Sequence, residues 1–354
     1  MRVAIDARAL QESPLGGVGR GLANVIDSIA RNVELELLTD ARLPPVVTAI
    51  RQHPLRAPLS GRGVAWLQLA APGWLHGFDG LFHCPFYGLP YRQPVPMVVT
   101  IHDTSFEHNP EWFSRKKRTV FRAQARHAAR TARRVLTPSF HARDEVCRRY
   151  GVAPGRVLVA PNAIDAIFGP DQDVDRRKRL LKSLSSAEPY IVALGGAPRR
   201  GLSRAVAAFD IVRRSHPQLS LIVVGGPTPV DAAGVFAAGR LADDDWAALL
   251  AGADALCYPT AYEGFGMPAL EAIASGTPVV CGRVGALPEV LGGVASWAED
   301  LSPRAIADAL LAILDDKDHA RRLRNAGLAR AAAWPGWDTT AAVVLQAYGE
   351  AAGG

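Results

Sequence analysis

The chain has 354 residues, 49% of them apolar, with mean hydropathy +0.06, net charge +6 and an isoelectric point near 9.3. That size suits two medium domains with full cores, and the basic balance suggests anionic partners. No window offers about 18 uninterrupted apolar residues, so no transmembrane helix is expected, and the scattered Cys84, Cys147, Cys257 and Cys281 form neither a C-x-x-C pair nor a zinc spacing.

Arg2–Ala7 reads as a first strand, too brief for a signal peptide. Gly16–Gly19 forms the next turn, able to bring backbone N–H groups against phosphate, and Arg20–Asn32 a helix. Gly17, Gly19 and Gly21 come near a dinucleotide-binding spacing but do not complete G-x-G-x-x-G. Asp40, after the strand Leu35–Thr39, is the only acidic candidate for a ribose. The segment Ala41–Leu69 matches no pattern. Gly80–His83, Val98–His102 and Arg134–Pro138 are further strands, so His83 and His102 both close strands, whereas a core histidine would sit inside one.

Between Arg115 and Arg134 there is no Asp or Glu, and Arg115, Arg118, Arg122, Arg126, Arg130 and Arg133 recur at helical spacing as one basic stripe. Two readings stand: a solvated helix face, or a dock for an anionic membrane surface or lipid-phosphate acceptor. No aromatic residues interleave, which argues against nucleic acid. Phe140–Tyr150 is a helix and Val157–Ala160 a strand. The polar interval Phe168–Pro189 is linker-like, with a helix at Arg176–Ser183.

A second alternating series follows: strand Tyr190–Gly195, helix Leu202–Ser215, strand Leu219–Val224, helix Asp243–Ala251, strand Ala255–Tyr258 and a last strand, Pro278–Cys281. Leu301–Asp315, His319–Ala333 and Thr339–Glu350 read as helices. Such alternation implies parallel sheets with helices on both faces. Asp243-Asp244-Asp245 tempts a metal reading, but N-capping of the helix it opens explains it better.

The chemistry concentrates at Tyr262-Glu263-Gly264-Phe265-Gly266-Met267-Pro268-Ala269-Leu270-Glu271. It reads as a glycine loop after a strand, then a two-turn helix with Pro268 first, Glu271 in its first turn and Gly276 as left-handed cap. Gly264 and Gly266 leave the N–H groups of Phe265, Gly266 and Met267 open to an anion. An anion bracketed by Glu263 and Glu271, which can grip hydroxyls, describes a sugar nucleotide. Arg199 and Arg200 follow a strand at the matching end, and arginine forks fit phosphate oxygens.

Tyr258 to Glu289 closely resembles the donor-binding signature of family 4 glycosyltransferases. Co-linear matches are Gly16-Gly17-Val18-Gly19-Arg20, Thr100-Ile101-His102-Asp103, Pro110-Glu111-Trp112-Phe113-Ser114, Val159–Asp165, Pro198-Arg199-Arg200-Gly201-Leu202 and Gly285–Val290. The resemblance is strongest to bacterial mannosyltransferases of polysaccharide and glycolipid assembly. It implies a GT-B fold: two Rossmann-like doubly wound domains facing across a cleft. Residues 1–168 would bind acceptor, 169–336 would bind the nucleotide-sugar donor, and the 337–354 helix would cross back to the first domain.

By the same resemblance, His102 contacts the transferred sugar, Asp103 orients that ring or meets the acceptor, and His83 is a further sugar or acceptor contact. Glu271 accepts from ribose hydroxyls and Glu263 from those of the hexose. Gly17, Gly264, Phe265, Gly266 and Met267 contact the donor. Arg199 and Arg200 hold the diphosphate, although the family usually has lysine where Arg200 stands. Catalysis is expected of His102, Glu263 and Arg200, with retained configuration and no metal or other cofactor. The partners implied are a nucleotide-diphosphate sugar, with GDP-mannose favoured and UDP- or dTDP-sugars open, a glycan or lipid-linked acceptor, and an anionic membrane surface through Arg115–Arg134. The station expected is cytoplasmic, peripheral on the inner membrane face. The alternatives are a sugar-nucleotide 2-epimerase and a silent donor-binding subunit of an assembly complex.

Overall fold

A computed structural model describes residues 1–11, 17–41, 43, 50–56, 63–226 and 232–353; Gly16 and parts of the 41–69 segment lie outside them. The chain divides into two compact units, one taking Met1–Ala163 and the stretch from Pro335 on, the other Ile164–Trp334.

The first unit holds β1 (Arg2–Asp6), α1 (Gly17–Ile29), β2 (Glu34–Thr39), β3 (Arg51–Pro54), α2 (Ala71–Leu75), β4 (Leu81–Cys84), β5 (Met97–Thr100), α3 (Ser105–His108), α4 (Arg115–Thr131), β6 (Arg134–Thr137), α5 (Phe140–Tyr150) and β7 (Val157–Val159). All its strand pairs are parallel, in the order β3-β2-β1-β4-β5-β6-β7. Val3, Ala4 and Ile5 are fully buried, as a central parallel strand covered on both faces requires. The glycine-rich stretch differs from expectation. Gly17 already lies in α1, whose Leu22, Val25, Ile26 and Ile29 form one buried face. Ser139 caps α5 by accepting from the Ala142 N–H at 3.0 Å, and Gly151, at φ +68°, ends it.

The second unit holds α6 (Val174–Ser183), β8 (Tyr190–Leu194), α7 (Leu202–Val212), β9 (Ser220–Val224), β10 (Val235–Gly239), α8 (Asp243–Ala251), β11 (Ala255–Tyr258), α9 (Met267–Ala274), β12 (Val279–Cys281), α10 (Leu287–Leu291), β13 (Ser296–Trp297), α11 (Pro303–Leu314) and α12 (Lys317–Ala332). Its parallel order is β10-β9-β8-β11-β12-β13, so the strand ending at Cys281 is not the last. The linker-like interval is not a linker. α6 lies against α8, Leu181 is buried, and Arg176 reaches Asp245 at 3.0 Å.

α13 (Trp337–Ala352) belongs to the first unit and packs on α1. Val344, Ala347, Tyr348 and Ala351 are buried in one cluster with Leu22, Val25 and Ile26. Burying a side chain such as Val344 contributes about 1.5–3 kcal/mol. Arg134, the first residue of β6, also pairs with Glu350 of α13 at 2.6 Å.

Candidate functional site

Each sheet reverses its order once, between β1 and β4 in the first unit and between β8 and β11 in the second. Open parallel sheets bind ligands outside the strand carboxyl ends at such points, where successive loops part to opposite sides.

In the second unit the loop after β8 makes a 3-10 turn, Pro198–Arg200, closed by Gly201 at φ +69°. A Cβ on Gly201 would stand 2.3 Å from the Pro259 carbonyl oxygen, so only glycine allows the turn to lie against the loop after β11. The Arg199 carbonyl accepts from the Ala261 N–H at 2.7 Å and the Thr260 hydroxyl at 3.1 Å. The two loops that flank the reversal are thereby latched, and Arg199 stands beside Glu263.

Glu263 is buried. Its Oε1 accepts from the Tyr258 phenol at 2.5 Å and lies 3.8 Å from Arg199 Nε. Burial, and then the Glu263 charge, hold the Tyr258 phenol well above its ordinary pKa, so it stays protonated and donates. Arg200 donates from Nη1 to the Gly195 carbonyl at 2.8 Å. Its buried Nε has no hydrogen-bond partner among the described residues. A buried donor without an acceptor is costly.

The loop then turns into α9 through Gly266, at φ +111°. Gly285, at φ +56°, lies so close to the Glu263 backbone that a Cβ would sit 2.1 Å from its carbonyl oxygen, which also accepts from the Ala286 N–H at 3.0 Å. The Gly285-Ala286 turn therefore sets the path of the Glu263 loop. The N–H groups of Phe265, Gly266 and Met267 meet no acceptor among the described residues, as expected ahead of a helix.

Two sequence expectations fail here. α9 starts at Met267, so Pro268 is its second residue and Glu271 lies in its second turn, beyond the reach of a helix-end charge effect. What orients Glu271, 1% exposed, is the Trp246 indole, which donates to Oε2 at 2.8 Å. Likewise Asp243, Asp244 and Asp245 do not cap α8. Ala242 is the cap residue, the three lie in the first turn, and Arg176 pairs with Asp245 and Asp244 at 3.0 and 3.6 Å. Among the described residues no group of three His, Cys, Asp or Glu side chains could hold a metal ion.

In the first unit a pocket of about 50 Å³ opens beside the reversal, lined by Val18, Gly21, His83, His102, Asn162 and Thr340 among others. His102 stands two residues past the end of β5 and is partly exposed. Its Nε2 is 3.0 Å from the Pro85 carbonyl oxygen, which can only accept. Nε2 therefore carries the hydrogen and Nδ1 a lone pair. Burial lowers the His102 pKa against the opposing effects of Pro85 and Asp103, so the ring is neutral at pH 7.

His83 lies inside β4, not at its end, and is buried. Its Nδ1 bonds the Tyr348 hydroxyl at 2.7 Å and its Nε2 the Thr100 hydroxyl at 2.8 Å. Burial and then the neighbouring His102 lower its pKa to about 3. With both ring nitrogens engaged, His83 fastens α13 to the sheet and offers no nitrogen to a ligand. Asp103 turns Oδ1 onto the Ser105 N–H at 2.9 Å and the Ser105 hydroxyl at 2.7 Å, which fixes the start of α3. Gly17 is exposed with nothing near its missing Cβ, so no close approach at that position demands glycine.

Three positioning groups have no role in the sequence reading: Tyr258, Trp246 and Glu145. Buried Glu145 accepts from Thr104 at 3.0 Å, His108 at 2.7 Å, Arg149 at 2.7 Å and also Arg148, tying the His102 loop to α5. Only the Arg148 and Arg149 spacing was visible in the sequence. The basic stripe is not uniformly solvated: Arg118 donates to the Phe106 carbonyl and Arg130 to the Tyr150 carbonyl, each at 2.9 Å, and Arg133 lies past the end of α4. No described helix is long and apolar enough to cross a membrane.

Two family profiles match the chain, "Glycosyltransferase Family 4" over residues 15–167 and "Glycosyl transferases group 1" over 188–316. The MMP alpha-(1->4)-mannosyltransferase of Mycolicibacterium hassiacum is 33% identical, over 73% of this chain and 66% of its own. Glycogen synthase of Mycobacterium tuberculosis is 30% identical over 78% and 68%, so the match spans about two thirds of both relatives. O-antigen chain mannosyltransferase B of Escherichia coli is 26% identical over 95% and 96%. Among solved structures, WaaG, a glycosyltransferase of lipopolysaccharide biosynthesis, superposes with TM-score 0.74 at 17% identity over 100% of both chains. Anabaena HepE, solved with UDP and glucose, gives 0.73 at 18% identity over 98% of both.

Proposed function

The chain is a glycosyltransferase of family 4 with the GT-B fold, and on that footing we propose that it moves a hexose, mannose, from a nucleoside-diphosphate sugar to a glycan or lipid-linked acceptor with retained configuration. The observation that carries the reading is the latched pair of loops after β8 and β11, which sets two guanidinium groups, one carboxylate and the start of α9 at one sheet end. The mannose assignment is supported by two relatives named as mannosyltransferases.

The proposed chemistry follows from charge. As the glycosidic bond to the diphosphate breaks, negative charge grows on the leaving oxygens. Arg200, Arg199 and the free N–H groups at the start of α9 are fixed in place before that happens, so little reorganisation is needed. Glu263, held by Tyr258, accepts from hexose hydroxyls, and Glu271, held by Trp246, from ribose hydroxyls. Because both carboxylates hold hydroxyls, the reaction runs on one face, and the departing oxygen takes the acceptor's proton. A carboxylate nucleophile of the glycosidase kind is not invoked. His102, neutral, takes a sugar hydroxyl proton in a hydrogen bond at Nδ1. Arginines neutralise the diphosphate in this reading, so no cation is invoked, and chelation with EDTA is expected to leave turnover unchanged.

The test is transfer of labelled sugar from a donor panel by purified variants. Glu263→Gln and Arg200→Ala are each expected to lower turnover by about two to three orders of magnitude without changing the melting temperature. Wild-type turnover in either refutes its role. Product formation from donor alone, without acceptor, would identify a 2-epimerase instead.

A further inference from the structure

On the first unit, α4 and the neighbouring α3 and α5 enclose a surface concavity of about 710 Å³. Five guanidinium groups line it, those of Arg115, Arg118, Arg122, Arg126 and Arg149, against one carboxylate, Glu107. The pairing inside it is uneven. Arg122 meets Glu107 at 2.7 Å and Arg149 meets Glu145 at 2.7 Å, so those two charges are matched. Arg118 donates Nε to the Phe106 carbonyl, which steers the side chain but offsets no charge. Arg115 and Arg126 have no carboxylate within ion-pair distance among the described residues.

Three uncompensated cations therefore share one hollow. They repel one another at a cost that a bound anion would reverse. Their forks suit phosphoryl oxygens, which they can grip through two parallel N–H bonds. Arg115 to Arg126 spans roughly 16 Å along α4 at about 1.5 Å per residue, too far for one phosphate to bridge. The hollow is also concave, which fits a compact ligand better than the flat face of a bilayer.

We propose that this concavity binds a soluble ligand carrying two or more phosphoryl groups. The site uses no residue of the β8–β11 loops and does not depend on what those loops hold. The double variant Arg199→Ala/Arg200→Ala serves as background, so that neither guanidinium of the loop site contributes, and inorganic tripolyphosphate is the probe, titrated calorimetrically at low salt. The background protein is expected to bind one equivalent, with affinity falling as salt is added. Adding Arg115→Gln and Arg126→Gln is expected to weaken binding at least about tenfold, while an unchanged melting curve shows that the fold is intact. Equal affinity in the two proteins overturns the proposal. So does absence of tripolyphosphate binding in the background protein, including the case in which phosphatidylglycerol vesicles alone are bound through these arginines.

Discussion

The Tyr258–Glu263 contact is the smallest unit on which the reading can be tested. The phenol donates to Oε1 in a buried setting, so removing the hydroxyl leaves a carboxylate oxygen short of a partner. Tyr258→Phe is expected to keep the fold and lower kcat by roughly tenfold with little change in KM, because the carboxylate is misaligned rather than lost. Steady-state kinetics against donor concentration separate the two parameters, and an unchanged kcat removes the positioning role. Gly201 makes the complementary point about backbone. Gly201→Ala adds a Cβ 2.3 Å from a backbone oxygen at φ +69°, so both loops must shift. A loss on the order of 2 kcal/mol in urea unfolding is expected; full stability with normal donor affinity would mean that the latch does not set the site. Glu263, Arg199 and Arg200 could be picked from the sequence because short motifs carry them. Trp246 could not be tied to Glu271, because they stand 25 residues apart and nothing local joins them.

Among elements, α13 has the clearest pH signature. His83, buried and bonded to Tyr348, has its pKa lowered to about 3 from 6.5. The unfolded chain binds that proton more readily, so the stability it contributes is full above pH 6.5 and is lost as pH falls towards 3. Between pH 6.5 and 5 the loss is on the order of 2 kcal/mol. Melting curves at pH 7 and 5 should show this drop in the wild type and a smaller one in His83→Asn; equal drops would exclude His83 as the source. Glu145 acts lower on the scale. Its burial pushes the pKa up, but hydrogen bonds from Arg149, Arg148 and His108 prevail and bring it to about 2. The stability it gives is present above pH 4.5 and is lost between there and pH 2, and Glu145→Gln should blunt that part of acid unfolding. The elements that the sequence hid are the polar or minimal ones. β3 is Arg-Gln-His-Pro at a sheet edge, β10 lacks a buried residue, and β13 has two residues. None presents the apolar run that marked β8 or β11.

For the whole molecule, the strand–helix alternation and co-linear motifs made the two-unit GT-B architecture legible, because parallel sheets write their buried strands as apolar runs. The unit boundary was less legible: the polar 168–189 interval resembles a linker in composition but packs through Leu181 and Arg176. Which of the candidate site's groups meet is a matter of strand order, and that order is not written in any local pattern. The account rests on the second unit holding a nucleoside diphosphate between the loops after β8 and β11. Calorimetric titration of GDP and UDP into wild-type protein and Arg200→Ala tests it most directly. One of the two nucleotides should bind the wild type, and Arg200→Ala should weaken it at least about tenfold at an unchanged melting temperature. Equal affinity in the two proteins, or no affinity for either nucleotide in the wild type, would contradict the account.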